Sequence, residues 1–324
     1  MHNIIDKLKN SKHVLLASHI HPDGDAIGSQ ISMGLALSAC GKTVTLYNES
    51  SIPRMYQFLP SSDLLVRKVE TTETYDTAVI LDCTDLERTG KIADKIRHIP
   101  CIINIDHHIT NNGFGTCQII DSAACSTAEI VYRIINELGV AINRSMALSI
   151  YTAIMTDTGS FRFSNTNKAA FSICGEMVGI GVDPNFVANH VYITYSLSRI
   201  KLLNLVLESI EVSENGRMSI MELTQEMLDK TGTKREDVGR LINYARHLED
   251  VKVAALVFES KNGGHKSPEE ERKFHISLRS DGTVDVAAIA SSFGGGGHVT
   301  AAGFNIVSPL KTIKPKILSL SKDF

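Results

Sequence analysis

Asp106, His107 and His108 stand together at the end of the run Cys101-Ile102-Ile103-Asn104-Ile105, so three adjacent metal-competent side chains close a strand-like segment. The pattern occurs twice more. His13-Val14-Leu15-Leu16-Ala17-Ser18 runs into His19, with Asp23 and Asp25 close behind, and Ala78-Val79-Ile80-Leu81 runs into Asp82. Open α/β sheets place their ligands at the carboxyl ends of strands. Three runs that each deliver a carboxylate or an imidazole there make a metal centre the expectation.

The segment 19–25 reads H-x-x-x-D-x-D on a loop bent by Pro22 and Gly24. Hard divalent cations such as Mn²⁺ and Mg²⁺ favour oxygen ligands, and Mn²⁺ also accepts imidazole. Carboxylates this close repel one another unless a cation lies between them. Pro-Asp-Gly is also ordinary turn chemistry, and alone it would leave the loop undecided. Asp82 and His107 at neighbouring strand ends decide for the metal. Asp157 closes an apolar helix that carries Leu148, Tyr151, Thr152 and Met155. An acid there opposes the helix dipole at a cost of roughly a few tenths of a kcal/mol, which a cation beside it would offset.

His19, Asp23, Asp25, Asp82, His107 and Asp157 make six ligands, enough for two cations sharing one carboxylate. Two-metal sites activate a water and clamp the attacking and leaving oxygens of an in-line phosphoryl displacement. Asp82 and His108 are the expected catalytic pair, with His108 free to hold a phosphate oxygen or donate a proton. No Ser/His/Asp or Cys/His constellation competes with this set. Farther along, Gly294-Gly295-Gly296-Gly297-His298 would let backbone N–H groups approach an anion closely. Arg279, at the end of a neighbouring strand, suits bidentate phosphate recognition.

The elements that must position these groups alternate. Strands are expected at 13–19, 43–48, 77–82 and 101–107, and helices at 26–40, 91–98 and from the capping box Ser126-Thr127-Ala128-Glu129 to 138. Asn143 caps the next helix. Strands alternating with helices imply a parallel sheet covered on both faces. A helix over 191–212 reads as a connector. Beyond it, strands at 217–223, 251–258, 273–279 and 302–307 and helices at 225–230, 236–247 and 285–292 describe a smaller α/β unit. Lys261 to Lys273 reads as an exposed hairpin tip.

The 324-residue length suits two domains, expected at 1–190 and 213–324 on either side of the 191–212 connector. Composition is that of a soluble globular protein, and a net charge of −3 supplies no field to draw in long nucleic acid. A nucleic acid substrate would be short or held by a few local contacts. The six cysteines show no C-x-x-C pairing and read as reduced, mostly buried thiols of a cytoplasmic protein. No signal peptide is legible, and no run approaches the ~18 apolar residues that would span a bilayer.

Asp106-His107-His108, with His19, Asp23, Asp25, Asp82 and Asp157 and the Gly294–His298 run, resembles the DHH phosphoesterase superfamily with its C-terminal DHHA1 domain. The resemblance covers essentially the whole chain. It is strongest to the small NrnA-type branch, the nanoRNase and pAp phosphatases, through Leu81 to Arg88, Asn104 to His108, Thr156 to Phe163 and Phe293 to Gly303. It implies a parallel-sheet domain and a smaller α/β domain with a cleft between them. It implies His19, Asp23 and Asp82 on one Mn²⁺, and Asp25, Asp82, His107 and Asp157 on the other, Asp82 bridging. His108 would contact the scissile phosphate and Asp106 would orient its neighbours. Arg279 and Gly295, Gly296, Gly297 and His298 would hold the terminal phosphate or base, with Arg162 assisting.

The implied activity is Mn²⁺-dependent hydrolysis of very short single-stranded oligonucleotides to mononucleotides, together with dephosphorylation of 3′-phosphoadenosine 5′-phosphate. Cyclic di-AMP or pApA is the alternative substrate, and a single-strand DNA exonuclease or a non-catalytic nucleotide sensor is a weaker fit. Long duplexes and membranes are not expected partners. The sequence leaves a homodimer open.

Overall fold

The computed structural model describes residues 1–193, 196–233, 241–260 and 271–324. Two compact units divide the chain, Met1–Thr194 and Tyr195–Phe324.

In the first unit the order is α1 (His2–Asn10), β1 (His13–Ser18), α2 (Gly24–Ala39), β2 (Thr43–Tyr47), β3 (Thr77–Leu81), α3 (Ala93–Ile96), β4 (Cys101–Asp106), β5 (Cys117–Ile120), α4 (Thr127–Glu137), α5 (Arg144–Asp157), α6 (Lys168–Gly179) and α7 (Pro184–Ala188). The five strands form an all-parallel sheet in the order β2-β1-β3-β4-β5. Both faces are covered, which is why β1 and β3 are apolar runs and not alternating ones. Val14, Leu16, Val79, Leu81, Ile103 and Ile105 pack beneath α1, α2, α4, α5 and α6. Leu15, Ala17, Ala78, Ile80 and Ile102 turn to the other face, where Leu86, Ile92, Ala93 and Ile96 cover them. Chain order reverses between β1 and β3, and open α/β sheets form their ligand crevice at such a switch.

Caps fix the helix starts. Asn143 accepts from the Met146 amide at 3.0 Å and starts α5 where the sequence places it. Ser126 accepts from the Glu129 amide at 3.3 Å, but the Glu129 carboxylate reaches back to the Cys125 amide and not to that of Ser126. Among the described residues no helix is long and apolar enough to cross a membrane. The cysteines are all free; Cys83, Cys125 and Cys174 are buried, Cys101 and Cys117 half-buried, and Cys40 exposed.

The second unit holds α8 (Leu197–Glu208), β6 (Glu211–Val212), β7 (Met218–Leu223), α9 (Gln225–Thr231), α10 (Ile242–Arg246), β8 (Val253–Glu259), β9 (Arg272–Ser280), α11 (Val286–Ser292), β10 (Gly296–His298), β11 (Ala301–Ser308) and α12 (Leu310–Leu318). Among the described residues its six strands run β10-β11-β9-β8-β7-β6 and are mixed, with β7 and β8 the one parallel pair. One face packs on α11 and α12 through Phe274, Ile276, Leu278, Ile313 and Ile317. On the other, α8, α9 and α10 cover β7 and β8 through Leu202, Val206, Leu228 and Ile242.

Several expectations are corrected. The helix expected over 191–212 is confined to Leu197–Glu208, with a π-turn at Asn189–Ile193 before it and strand β6 after it. The strand β5 and the helices α6 and α12 are additions. β5 is a four-residue edge strand with alternating burial, too short to carry a pattern. Residues 236–240 of the helix expected at 236–247, and residues 261–270 of the expected hairpin tip, lie outside the described residues.

Candidate metal centre

The carboxyl ends of β1, β3 and β4 bring His19, Asp82 and His107 together, and the starts of α2 and the end of α5 add Asp23, Asp25 and Asp157. Ligand atoms of His19, Asp23 and Asp82 lie within 4.8 Å of one another, as do those of Asp25, His107 and Asp157, and those of Asp82, His107 and His108. All six residues that the sequence nominates as ligands thus converge, and Asp82 belongs to two of the three groups.

Asp82 is buried and sits in left-handed backbone at φ 55°. A non-glycine residue there is strained, and such outliers gather at functional sites. The turn aims its carboxylate at three imidazoles. His19 Nε2 is 3.6 Å away, His107 Nε2 3.8 Å and His108 Nδ1 3.5 Å. Burial works to raise Asp82, but the hydrogen bond from His19 and the charges of His108 and His107 hold it at about 2.

The other carboxylates move the opposite way. Burial, then the charges of Asp82 and Asp23, push Asp157 up to about 8. Burial, then Asp82 and Asp157, lift Asp25 well above the ordinary carboxylate range. Four acids in one pocket cannot all ionise without compensating positive charge.

His107 supplies the test of fit. Its Nδ1 lies 3.4 Å from the Ala124 carbonyl oxygen, which can only accept, so Nδ1 carries a proton and Nε2 is the ring atom left to ligate a cation. Nε2 is buried without a hydrogen-bond partner and faces Asp157 at 3.5 Å, Asp82 at 3.8 Å and Asp25 at 3.9 Å. Native structures rarely leave a buried polar atom unpaired. A basic nitrogen ringed by carboxylate oxygens suits a divalent cation that accepts both donor types.

Asp106 is different. Its Oδ1 accepts from the amides of His107 and His108 and from His108 Nδ1 at 2.7 Å, and its Oδ2 accepts from Asn111 at 2.7 Å. Those bonds occupy it as an orienting group. Burial works against the charge of His108, but the Asp106 hydrogen bond and the charges of Asp82 and Asp106 carry it up to about 9. At neutral pH His108 is an imidazolium with its Nε2–H directed away from Asp106.

The α4 N-terminus was read from sequence only as a cap. Here it also serves the centre: the amides of Thr127 and Ala128 donate to Asp25 at 2.6 and 3.0 Å, and the Thr127 hydroxyl donates to Asp82 at 3.1 Å. Asn48 holds the His19 carbonyl at 2.9 Å, and Asn165 donates to the Asp157 carboxylate at 3.2 Å. The capping box was the available signal for Thr127. Asn48 bonds across 29 residues, and Asn165 across eight to Asp157 and 40 to Cys125, so neither leaves a local pattern.

Arg162 is exposed, with its Nε donating to Gly159 at 2.6 Å, outside the ligand groups. The glycine run is partly a packing device. The Gly294 and Gly295 amides bond to Ser291 and Ala290 at the end of α11, so neither is free for an anion. A Cβ on Gly295 would meet the Gly303 carbonyl at 2.2 Å, and one on Gly297 the Ala301 carbonyl at 2.5 Å. Gly296 faces open space, and His298 is exposed at the end of β10.

Residues 13–154 match the N-terminal domain of the DHH family, and residues 218–323 match the DHHA1 domain. A bifunctional oligoribonuclease and PAP phosphatase NrnA of Thermus thermophilus is 31% identical over 290 residues, covering 90% of this chain and 83% of that protein. The chain belongs to the DHH family. It is a phosphoesterase, a hydrolase acting on phosphate ester bonds. The Bacillus subtilis protein of the same name is 29% identical, covering 91% of this chain and 90% of its own length. The crystal structure of an exopolyphosphatase-related protein from Bacteroides fragilis superposes with a TM-score of 0.90 at 27% identity, covering 99% of this chain and 96% of that one. The DHH and DHHA1 matches fall one in each compact unit.

Proposed function

We propose that this DHH-family chain is a Mn²⁺-dependent cytoplasmic phosphohydrolase that trims oligonucleotides of a few residues to mononucleotides and dephosphorylates 3′-phosphoadenosine 5′-phosphate. The observation that carries the reading is the buried, unpartnered His107 Nε2 facing three carboxylates at 3.5–3.9 Å. The relatives named for oligoribonuclease and PAP phosphatase activity support the substrate class.

His19, Asp23 and Asp82 would hold one cation, and Asp25, Asp82, His107 and Asp157 the other. When bound, such cations supply Lewis acidity to a phosphoryl oxygen and make a water acidic enough to attack phosphorus. The protein's own residues do the rest. Asp106 holds the His108 ring through Nδ1, leaving Nε2–H to donate to the scissile phosphate. As the ester P–O bond breaks, the departing alkoxide takes that proton; the water that forms the new P–O bond sheds one proton, which restores His108 as the phosphate product leaves. Thr127 and Asn165 keep the Asp82, Asp25 and Asp157 carboxylates aimed inward.

The test is turnover with Mn²⁺ on a 5′-labelled RNA trimer, a 24-mer of matching composition, 3′-phosphoadenosine 5′-phosphate and cyclic di-AMP. Fast loss of the trimer and the bisphosphate with a resistant 24-mer is expected. Preference for cyclic di-AMP would replace the substrate assignment, and silence on all of them would overturn the reading.

A further inference from the structure

We propose that Asn104 and Asn111 are positioning residues for the hydrolysis: together they fix the Asp106 carboxylate and, through it, the His108 ring whose Nε2–H serves the leaving oxygen. This rests on the phosphohydrolase reading above and deepens it by naming what sets its proton donor. The first sign lies in the strand. Asn104 stands among Ile102, Ile103 and Ile105 in β4 and is fully buried, in register with Ile80 of β3. A buried amide in an apolar strand interior is unfavourable unless its hydrogen bonds are made. Asn104 Nδ2 donates to Asn111 Oδ1 at 3.0 Å.

Asn111 gathers the ends of β3 and β4. A turn closed by the Asn111 amide on the His108 carbonyl at 3.1 Å brings its side chain back toward the sheet, and the Asn112 amide donates to the Thr84 carbonyl at 3.0 Å. Asn111 Nδ2 donates to Asp106 Oδ2 at 2.7 Å and to the Cys83 carbonyl at 3.0 Å, and its Oδ1 also accepts from the Gly113 amide at 2.8 Å. Those partners fix which way the side chain points. An ionised carboxylate and a carbonyl only accept and a backbone amide only donates, so a flipped side chain would lose all three bonds.

The consequence is felt at His108. Asp106 Oδ1 faces His108 Nδ1 at 2.7 Å and accepts from the amides of His107 and His108 at 2.8 and 3.2 Å, while Oδ2 is held by Asn111. A carboxylate bonded at both oxygens keeps its plane, and a fully satisfied network is rigid. With Oδ2 released, the carboxylate turns, the Nδ1 contact lengthens, and the Nε2–H on the far side of the ring swings off the leaving oxygen. A general acid acts only within hydrogen-bond reach of the atom it protonates. Asp82 keeps its own supports, its amide on the Ile105 carbonyl at 3.0 Å and its carboxylate on the Thr127 hydroxyl at 3.1 Å, so cation binding does not hang on Asn111.

The experiment uses the full chain with Mn²⁺ and a pair of adenosine 5′-phosphate esters. One is made with p-nitrophenol, whose anion departs without a proton, and the other with the 3′-hydroxyl of a second adenosine, whose alkoxide needs one. Asn111→Ser should lower kcat on the dinucleotide by about 10–100-fold, part of the roughly 10²–10⁴ that a placed general acid contributes, with KM and bound Mn²⁺ little changed. The loss on the p-nitrophenyl ester should be about tenfold smaller. Added to His108→Gln, Asn111→Ser should cost nothing further, since residues acting through one group are not additive. Asn104→Val should give the same pattern at smaller amplitude, because the Gly113 amide still holds Asn111, and its thermal midpoint should not fall below that of wild type. A readout free of turnover is the His108 Nδ1–H proton resonance of the cation-free protein, assigned by its loss in His108→Gln and expected to move upfield or broaden in Asn111→Ser. Equal losses on both esters, additive losses with His108→Gln, or an unchanged resonance would overturn the proposal. A wild-type protein silent on both esters would remove the phosphohydrolase reading, and the resonance would then decide the positioning role alone.

Discussion

Asp82 couples both halves of the cluster, facing His19 on one side and His107 and His108 on the other. Asp82→Asn keeps the shape and removes the charge, so it should lower kcat/KM by roughly a thousandfold or more and reduce the bound cation count, both measurable on one preparation. Thr127→Val removes the hydroxyl that donates to Asp82. It should weaken cation affinity by roughly 10–100-fold, and Thr127→Ser should restore it. The cation-free protein should also lose stability as pH rises. Asp157, raised to about 8, favours the folded state while protonated, and that advantage fades as pH rises from its ordinary range through about 8. His108, raised to about 9, stabilises fully below the unfolded histidine value and loses this through about 9. Both slopes have the same sign. A melting midpoint that falls between pH 6 and 9, with Mn²⁺ flattening the curve, is the expected result; a flat cation-free curve would contradict the charge crowding.

At the level of elements, the centre depends on how closely α2 lies against α5. A Cβ on Gly28 would stand 2.4 Å from the Ser149 carbonyl and 2.8 Å from the Ala153 side chain, so Gly28→Ala must push the helices apart. It should cost roughly 1–3 kcal/mol in denaturant unfolding. It should also disturb cation binding, since Asp25 sits one turn away on α2 and Asp157 ends α5. Gly175, exposed on α6 with no atom near its would-be Cβ, provides the contrast. Gly175→Ala should stabilise by roughly 0.5–1 kcal/mol, because only the helix-propensity term remains.

Across the whole molecule, each unit has hydrophobic clusters of its own. All of the candidate cation ligands belong to the first unit. Calorimetry should therefore resolve two transitions, with Mn²⁺ raising only the one that belongs to residues 1–194. A shift of both together would mean that the units unfold as one.

What could be read without coordinates followed from local physics. Buried parallel strands must be apolar until they end, so β1, β3 and β4 announced themselves, and the first polar atoms beyond them named His19, Asp82 and His107. Asn143 announced a helix start because its side chain bonds three residues ahead. The tertiary structure decided what depends on distant partners. It placed Thr127 on Asp82 across 45 residues and Asn165 between Cys125 and Asp157. It also gave Gly295 a packing reason in place of the expected anion-binding one, and Gly297 a packing reason of its own. Local sequence specifies what a segment prefers, and only folding decides which side chains share a pocket and a charge.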